Sequence, residues 1–392
     1  MMVMTSQENI DALLRGKPAE RVGLMESLWN DTYVLWIKQG YPTRRVYKNV
    51  GDTLREEEDG FTRDVEVAGE YVEPVPAWQH FGFDMVGVGG WFDTKPLRDY
   101  DELVSQTDEW EIRRNGAGAA FKNWKHKMGT PEHIDFRMTT REIWEKEYKP
   151  HLLEFDPQRV KLAEPRKDLA EARQAGRWAH YGHMFIWELG RGCLGDITLY
   201  SSLLSDPDWI HDFNRTYTDF YKQYFKYYFD EVGLPDGIWL YEDLGYNAGL
   251  FASPRTYESM VFPYFKEMVD FFHGYNLPVV LHSCGSVAQA LALIVATGFD
   301  GLNPIERKAR HNDPYAFAKQ YGDKLAFIGG LDVRVLETND KDTVRKEVAA
   351  YIDGMKACAA RLVFASDHSV PPTVNYDTYR YALDVYREHM LY

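Results

Sequence analysis

Short apolar runs recur along the carboxyl-terminal half of this chain, each ending in polar residues and followed by a stretch of helical period. Five can be read: Gly237–Tyr241 (GIWLY), Pro278–Leu281 (PVVL), Phe299–Ile305 (FDGLNPI), Leu325–Ile328 (LAFI) and Arg361–Ala365 (RLVFA). Strands alternating with helices in this way are the signature of βα units. After the first run, Ser253 offers an N-cap and Pro254 a first helical residue. Met260, Val261, Tyr264, Phe265, Met268 and Phe272 follow at spacings of three and four. Pro263 should kink or divide that helix, and Gly274 closes it. Asn375 is placed to cap a last helix whose Tyr379, Leu383, Tyr386 and His389 to Leu391 lie toward one side.

In the amino-terminal half, Val22–Met25, Met85–Val88 and Ala179–Trp187 read as three earlier strands, which makes eight in all. Eight is the number of a parallel (β/α)8 TIM barrel, an α/β fold. The stretch from about 101 to 164 is charged and Trp-rich, and reads as a rim insertion with some antiparallel and helical structure. With no repeat, low-complexity tract or Gly/Ser linker, residues 1–392 read as a single barrel domain.

Composition agrees with that picture and narrows the function. A chain of 392 residues with 45% hydrophobic and 27% charged residues has material for one large core. The net charge of -15, without any basic run, excludes a nucleic-acid surface. Cys193, Cys284 and Cys358 are too few and scattered for a disulfide framework, which fits a reducing cytoplasm. The first residues carry no export signal, and no window reaches the eighteen or so apolar residues of a membrane span, so a cytoplasmic protein is expected.

In a parallel barrel, functional groups collect just past the carboxyl ends of the strands. That filter selects Glu242 and Asp243 after GIWLY, His282 and Cys284 after PVVL, Asn303 in FDGLNPI, Asp332 after LAFIGG, and Asp367 and His368 after RLVFAS. The sharpest of these is His282-Ser283-Cys284-Gly285. Residues two apart in extended backbone point the same way, so the imidazole and thiol should converge inside the barrel mouth. Nitrogen and thiolate donors suit Zn²⁺, and a catalytic zinc needs three protein ligands with one position open. The remaining donors are Glu242, Asp243 and His368, and the sequence leaves open which of them complete the shell. A His-x-Cys pair also occurs as a buried thiol beside a structural histidine, and the acidic pair as a helix cap. Cys193 reads as a small buried residue and Cys358 as core, while His126, His133, His151 and His311 read as solvated. Trp29, Trp36, Trp91, Trp187 and Tyr246 are candidates for an apolar pocket wall, although most tryptophans in a barrel are packing.

Taken in order, six landmarks resemble the uroporphyrinogen decarboxylase superfamily. They are Arg15 to Val22 (RGKPAERV), Tyr241 to Gly245 with Gly249 and Ser253-Pro254 behind it, His282 to Gly285, Leu302 to Pro304, Gly329 to Asp332, and Asp367 to Pro371. The decarboxylases themselves clamp a polycarboxylate tetrapyrrole with an Arg-rich segment after the first strand. The matching stretch here, Met25 to Tyr33 (MESLWNDTY), carries acid and no arginine. The resemblance therefore runs to the corrinoid-dependent methyltransferase branch, in which a His-x-Cys pair and a later Cys hold zinc. Where the later Cys would stand, this chain reads Ala365-Ser-Asp-His368.

What the resemblance implies is a zinc-dependent methyltransferase of O-demethylase type, acting on a methoxylated substrate such as an aryl methyl ether. The metal is expected on Glu242, His282, Cys284 and His368, with Asp243 and His368 in catalytic roles and Trp29, Trp187, Tyr246, Asn303 and Asp332 against the substrate. The acceptor would be the cobalt of a corrinoid (cobalamin) on a separate partner protein, since the chain has no Asp-x-His-x-x-Gly motif. A small methylated substrate and a homodimer are also implied. Alternative readings are transfer from a methyl-corrinoid to a thiol, a metal-independent decarboxylase or lyase, and a barrel that binds without catalysis.

Overall fold

The computed structural model describes residues 4–58, 61–125 and 131–392, and His126 lies outside them. Eight short strands form one parallel sheet: β1 (Gly23–Leu24), β2 (Met85–Gly87), β3 (Trp178–Met184), β4 (Gly237–Tyr241), β5 (Val279–His282), β6 (Gly301–Asn303), β7 (Ala326–Ile328) and β8 (Leu362–Phe364). From β2 to β8 each strand pairs with its neighbour in sequence, and β1 pairs with β8. The seam between β1 and β2 is bridged by the Asp84 N–H, which donates to the Leu24 carbonyl at 2.7 Å. Asp84 itself is buried and accepts from the Leu24 N–H at 2.8 Å and from both terminal nitrogens of Arg21 at 2.7 Å. The eight-strand TIM barrel expected from the sequence is therefore the observed fold.

Boundaries moved in one place that matters. The run Ala179–Trp187 is not all strand: β3 stops at Met184, and Ile186–Leu194 is a helix that carries Trp187 inward. Pro263 divides its helix as expected, into Pro254–Met260 and Phe262–Gly274, with Ser253 capping the first piece. Asn375 sits at the N-cap of Tyr376–His389 without capping it, because its side-chain oxygen accepts from Gln39 instead. In that last helix Tyr379, Leu383 and Tyr386 are buried, whereas Leu391 is 62% exposed.

Two excursions leave the barrel. Thr43–Glu58 and Phe61–Pro74 pair as a long antiparallel hairpin that the sequence reading did not contain. Between β2 and β3, the four strands Asp101–Gln106, Trp110–Asn115, Ala119–Trp124 and Glu132–Phe136 form an antiparallel sheet, followed by short helical turns. These elements fall in the region read as the rim insertion.

The barrel interior is built from aromatic rings leaning over glycines. A Cβ on Gly237 would lie 2.3 Å from a ring carbon of Trp178, one on Gly87 would lie 3.3 Å from the His180 ring, and one on Gly182 would lie 3.0 Å from the Tyr241 ring. Side-chain period two puts Trp178 and His180 of β3 and Trp239 and Tyr241 of β4 on the inner face, and each large ring fills space that the next strand leaves empty. From below, the helix Ser6–Leu14 presses Ile10, Leu13 and Leu14 into the same cluster. Thr5 and Glu8 form a capping box at its start. The amino-terminal end of the barrel is thereby filled, and the strand carboxyl ends form the open face.

Outside, the helix Pro207–Glu231 buries Phe213, Tyr217, Phe220, Tyr221, Tyr224, Phe225 and Tyr228, a stripe at spacings of three and four. It is tied to Phe262–Gly274 by Glu267, which pairs with Arg215 and Lys222. The Arg215 hydrogen bond, seconded by Lys222, holds the Glu267 carboxyl at about 2, below its ordinary 4.5.

Two outcomes follow from this packing. Gly237→Ala should destabilise the fold by about 1–3 kcal/mol, because the new methyl cannot be placed without moving Trp178; urea unfolding with an unchanged slope and a lower midpoint checks it. The Glu267 pairing contributes stability that is fully present above pH 4.5 and is lost as pH falls toward 2, since its folded pKa is depressed. Glu267→Gln should therefore flatten the acid limb of a thermal-denaturation profile across that window.

Candidate metal centre at the barrel mouth

The register of β4 on β5 sets the site. Tyr241 pairs with His282, Trp239 with Val280, and Tyr241 stands on the inner face. Continuing the two-residue alternation, Asp243 and Cys284 also turn inward, and Glu242 turns outward. Asp243, His282 and Cys284 accordingly meet, with one donor atom of each within 4.8 Å of the others. Cys284 Sγ lies 3.5 Å from His282 Nε2, and Asp243 Oδ1 lies 3.8 Å from the same nitrogen. Asp243 Oδ1 also accepts the Cys284 N–H at 2.8 Å, which fastens the end of β4 to the turn after β5. All three side chains are half-buried, so the cluster is reachable from the open face.

Asn303, at the end of β6, determines which face of the imidazole is available. Its amide nitrogen donates to the Ile328 carbonyl at 3.1 Å, so its oxygen must face His282 Nδ1, 2.7 Å away. Nδ1 then carries the proton and Nε2 presents a lone pair to Asp243 and Cys284. Burial lowers the His282 pKa, which keeps the ring neutral. Burial, then Asp243 and Glu306, pushes the Cys284 thiol up. A thiolate beside that carboxylate needs a compensating cation to form. Behind the turn, Glu306 accepts the Gly285 N–H at 2.7 Å, and Gly285 adopts φ 76° with a Cβ position only 2.4 Å from the Gly245 carbonyl oxygen. No side chain fits there, which is why the turn after the His-x-Cys pair carries glycine.

The remaining sequence-selected residues divide into those near the cluster and those committed elsewhere. Glu242 is not brought to it. Its buried carboxylate accepts from the N–H groups of Phe185, Trp187 and Glu188 at the start of the helix Ile186–Leu194, so Asp243 replaces it as the acidic donor. His368 is not in the cluster either; its ring stacks on Trp29 with centroids 6.0 Å apart, although its charge would weigh on His282. Trp187 is corrected from a pocket wall to core: it is 1% exposed, packs on Tyr257, and donates from its indole N–H to the Asp243 carbonyl at 2.9 Å. Asn303 orients the imidazole, as described.

Asp332 caps the short helix Val333–Glu337 and pairs with Arg334, which lowers its pKa. Asp367 accepts from the Val333 and Arg307 amides. Tyr246 is 49% exposed on a small hairpin beside Phe251. Cys193 is buried, Cys358 follows a helix half-buried, and His133, His151 and His311 are exposed. Trp36 is core and donates to the Val374 carbonyl.

One residue that sequence reasoning passed over, Tyr241, and one that it offered as a pocket wall, Trp91, stand at the mouth. Tyr241 stands next to His282, with ring centroids 5.2 Å apart, and Trp91 stacks on Tyr241 at 5.7 Å and 23°. The signal for Tyr241 was present in the period-two alternation that selects Asp243.

The uroporphyrinogen decarboxylase family model matches residues 192–389, from the helix after β3 to the end of the last helix. No curated protein sequence matches the chain significantly. Among solved structures, a methyltransferase from Methanosarcina mazei superposes with a TM-score of 0.63 at 14% identity, covering 98% of this chain and 99% of its own. A class V chitininase from Pseudomonas fluorescens Pf-5 reaches only a TM-score of 0.35 at 8% identity, over 57% of this chain and 85% of its own. The matched segment contains β4 to β8 and all three residues of the mouth cluster, and the chain belongs to the uroporphyrinogen decarboxylase family.

Proposed function

We propose that this protein is a zinc-dependent methyltransferase that moves a methyl group from a methoxylated small molecule to the cobalt of a separate corrinoid protein. The observation that carries the reading is the Asp243–His282–Cys284 cluster. Tetrahedral zinc with bonds of about 2.0 Å to nitrogen and 2.3 Å to sulfur separates those two donors by about 3.5 Å. The 3.5 Å between Cys284 Sγ and His282 Nε2 fits that edge without rearrangement. A bound zinc would supply Lewis acidity to an ether oxygen, which otherwise leaves poorly.

The chain's own residues do the rest of the positioning. Asn303 holds the imidazole in the ligand tautomer, the Cys284 N–H orients the Asp243 carboxylate, and Glu306 and Gly285 fix the turn. A mixed oxygen, nitrogen and sulfur donor set is harder than one with two thiolates, which favours an oxygen-bound donor over a thiol. The absence of arginine from Met25–Tyr33 tells against a polycarboxylate tetrapyrrole, and Glu26 of that segment accepts from the Ser366 N–H and hydroxyl. The likeness in fold to the Methanosarcina mazei methyltransferase accords with the reading. The corrinoid partner would dock over the open carboxyl-terminal face. No helix among the described residues is long and apolar enough to cross a membrane, in keeping with a partner met in the cytoplasm.

Elemental analysis of purified protein tests this directly. About one zinc per chain is expected, lost in His282→Ala, Cys284→Ala and Asp243→Asn but kept in Glu242→Gln. Zinc absent from the wild type, or retained in the first three variants, would sink the assignment. Asn303→Ala should leave zinc bound but weaken its affinity by about 10–100-fold in a chelator competition, because the imidazole loses the group that fixes its tautomer.

A further inference from the structure

Past β6, the loop Glu306–Asn312 (ERKARHN) carries positive charge that neither the fold nor the metal cluster uses. Every third residue is an anchor: Glu306, Ala309 and Asn312 are buried. Glu306 accepts the Gly285 N–H at 2.7 Å. Asn312 donates to the Gly285 carbonyl at 2.9 Å and accepts the Val287 N–H at 3.1 Å. The Arg310 backbone adds two ties, accepting from the Ser286 hydroxyl at 2.6 Å and donating to the Asn247 carbonyl at 2.8 Å. The loop is thus fastened to the residues that directly follow Cys284, so it presents its other side chains without first having to be ordered.

Between the anchors those side chains are all basic. Lys308, Arg310 and His311 are exposed, and Arg307 is half-buried. Arg307 lies over the Tyr315 ring at 5.6 Å, and the Lys308 ammonium stands 3.2 Å from Glu306 while remaining half open to solvent. Arg310 and His311 enter no ion pair among the described residues. The neighbouring acid, Asp313, is turned to the start of the helix Pro314–Tyr321, where it accepts from the Tyr315 and Ala316 amides. His311 also holds φ 67°, a region that is unfavourable for a residue with a side chain. Exposed cations contribute little to folding; on a chain of net charge -15, a fixed group of them acts by drawing in a surface of opposite sign.

We infer that the loop Glu306–Asn312 is a docking element for a partner protein with an acidic face, seated at the edge of the barrel mouth. The partner's identity rests on the methyl-transfer reading, on which it is the corrinoid protein; the charged surface itself is separable from the metal. A protein fits better than a nucleic acid, because backbone-phosphate binding draws on the order of 6–10 contacts and the rest of this chain is acidic. A small free anion fits less well, because the cations are exposed rather than gathered around a buried polar group.

Fluorescence anisotropy of labelled poly-L-glutamate, an acidic polypeptide standing in for the partner's face, tests this on the full chain. The wild type should bind it at low ionic strength, with affinity falling as salt is added. Lys308→Glu combined with Arg310→Glu should weaken binding by about tenfold or more, with zinc content and the urea midpoint unchanged, and Lys308→Arg combined with Arg310→Lys should bind as the wild type does. No binding by the wild type, equal binding by the charge-reversed protein, or inorganic phosphate or a single-stranded oligonucleotide bound through these residues as tightly as the polypeptide overturns the inference. Loop-dependent binding in a protein that holds no zinc would leave the docking element standing and bring down the methyl-transfer reading instead.

Discussion

The site exists because two neighbouring strands are held in one register. With Tyr241 opposite His282, the alternation of side chains sends Asp243 and Cys284 to the same side as the imidazole, and a slip of one residue on either strand would send a donor into the helix layer. The bond from the Cys284 N–H to Asp243 closes the pair beyond the last ladder hydrogen bond, where the sheet itself no longer enforces it. Everything chemical about the mouth is downstream of that alignment.

Register is in turn protected by the interior. Trp178, His180 and Tyr241 each need the glycine on the adjoining strand, so a shifted pairing would set ring against ring. Asp84 secures the remaining joint by accepting from Arg21 and from the Leu24 backbone at the β1–β2 seam. A buried carboxylate with three donors is satisfied in place and would be left uncompensated by any other arrangement.

Much of this was legible in the sequence. Apolar runs bounded by turn residues located all eight strands, and the strand-end rule picked out His282, Cys284, Asp243 and Asn303 before any coordinates. What misled was treating Glu242 and Asp243 as interchangeable. Neighbouring residues on a strand face opposite sides, and Tyr241 as an inner residue would have decided for Asp243. His368 was selected by its position after β8; it stands outside the three-residue cluster with its ring stacked on Trp29, a tertiary contact that local pattern does not encode. The same holds for Trp187, whose place at the end of an apolar run concealed a strand-to-helix change at Phe185. The hairpin Thr43–Pro74 escaped because its residues are charged and lack the alternation that marks a half-buried strand.

The helix Ser6–Leu14 fills the floor of the barrel with Ile10, Leu13 and Leu14. The mouth is therefore a cul-de-sac with one doorway. A small molecule and a macromolecular acceptor that both need the cluster cannot come at it from opposite sides; they must queue. On the proposed function the small molecule would have to be seated before a large partner covered the opening, and whatever remained of it would depart only once that partner had withdrawn. The order of arrivals and departures would then follow from the architecture rather than from any one side chain.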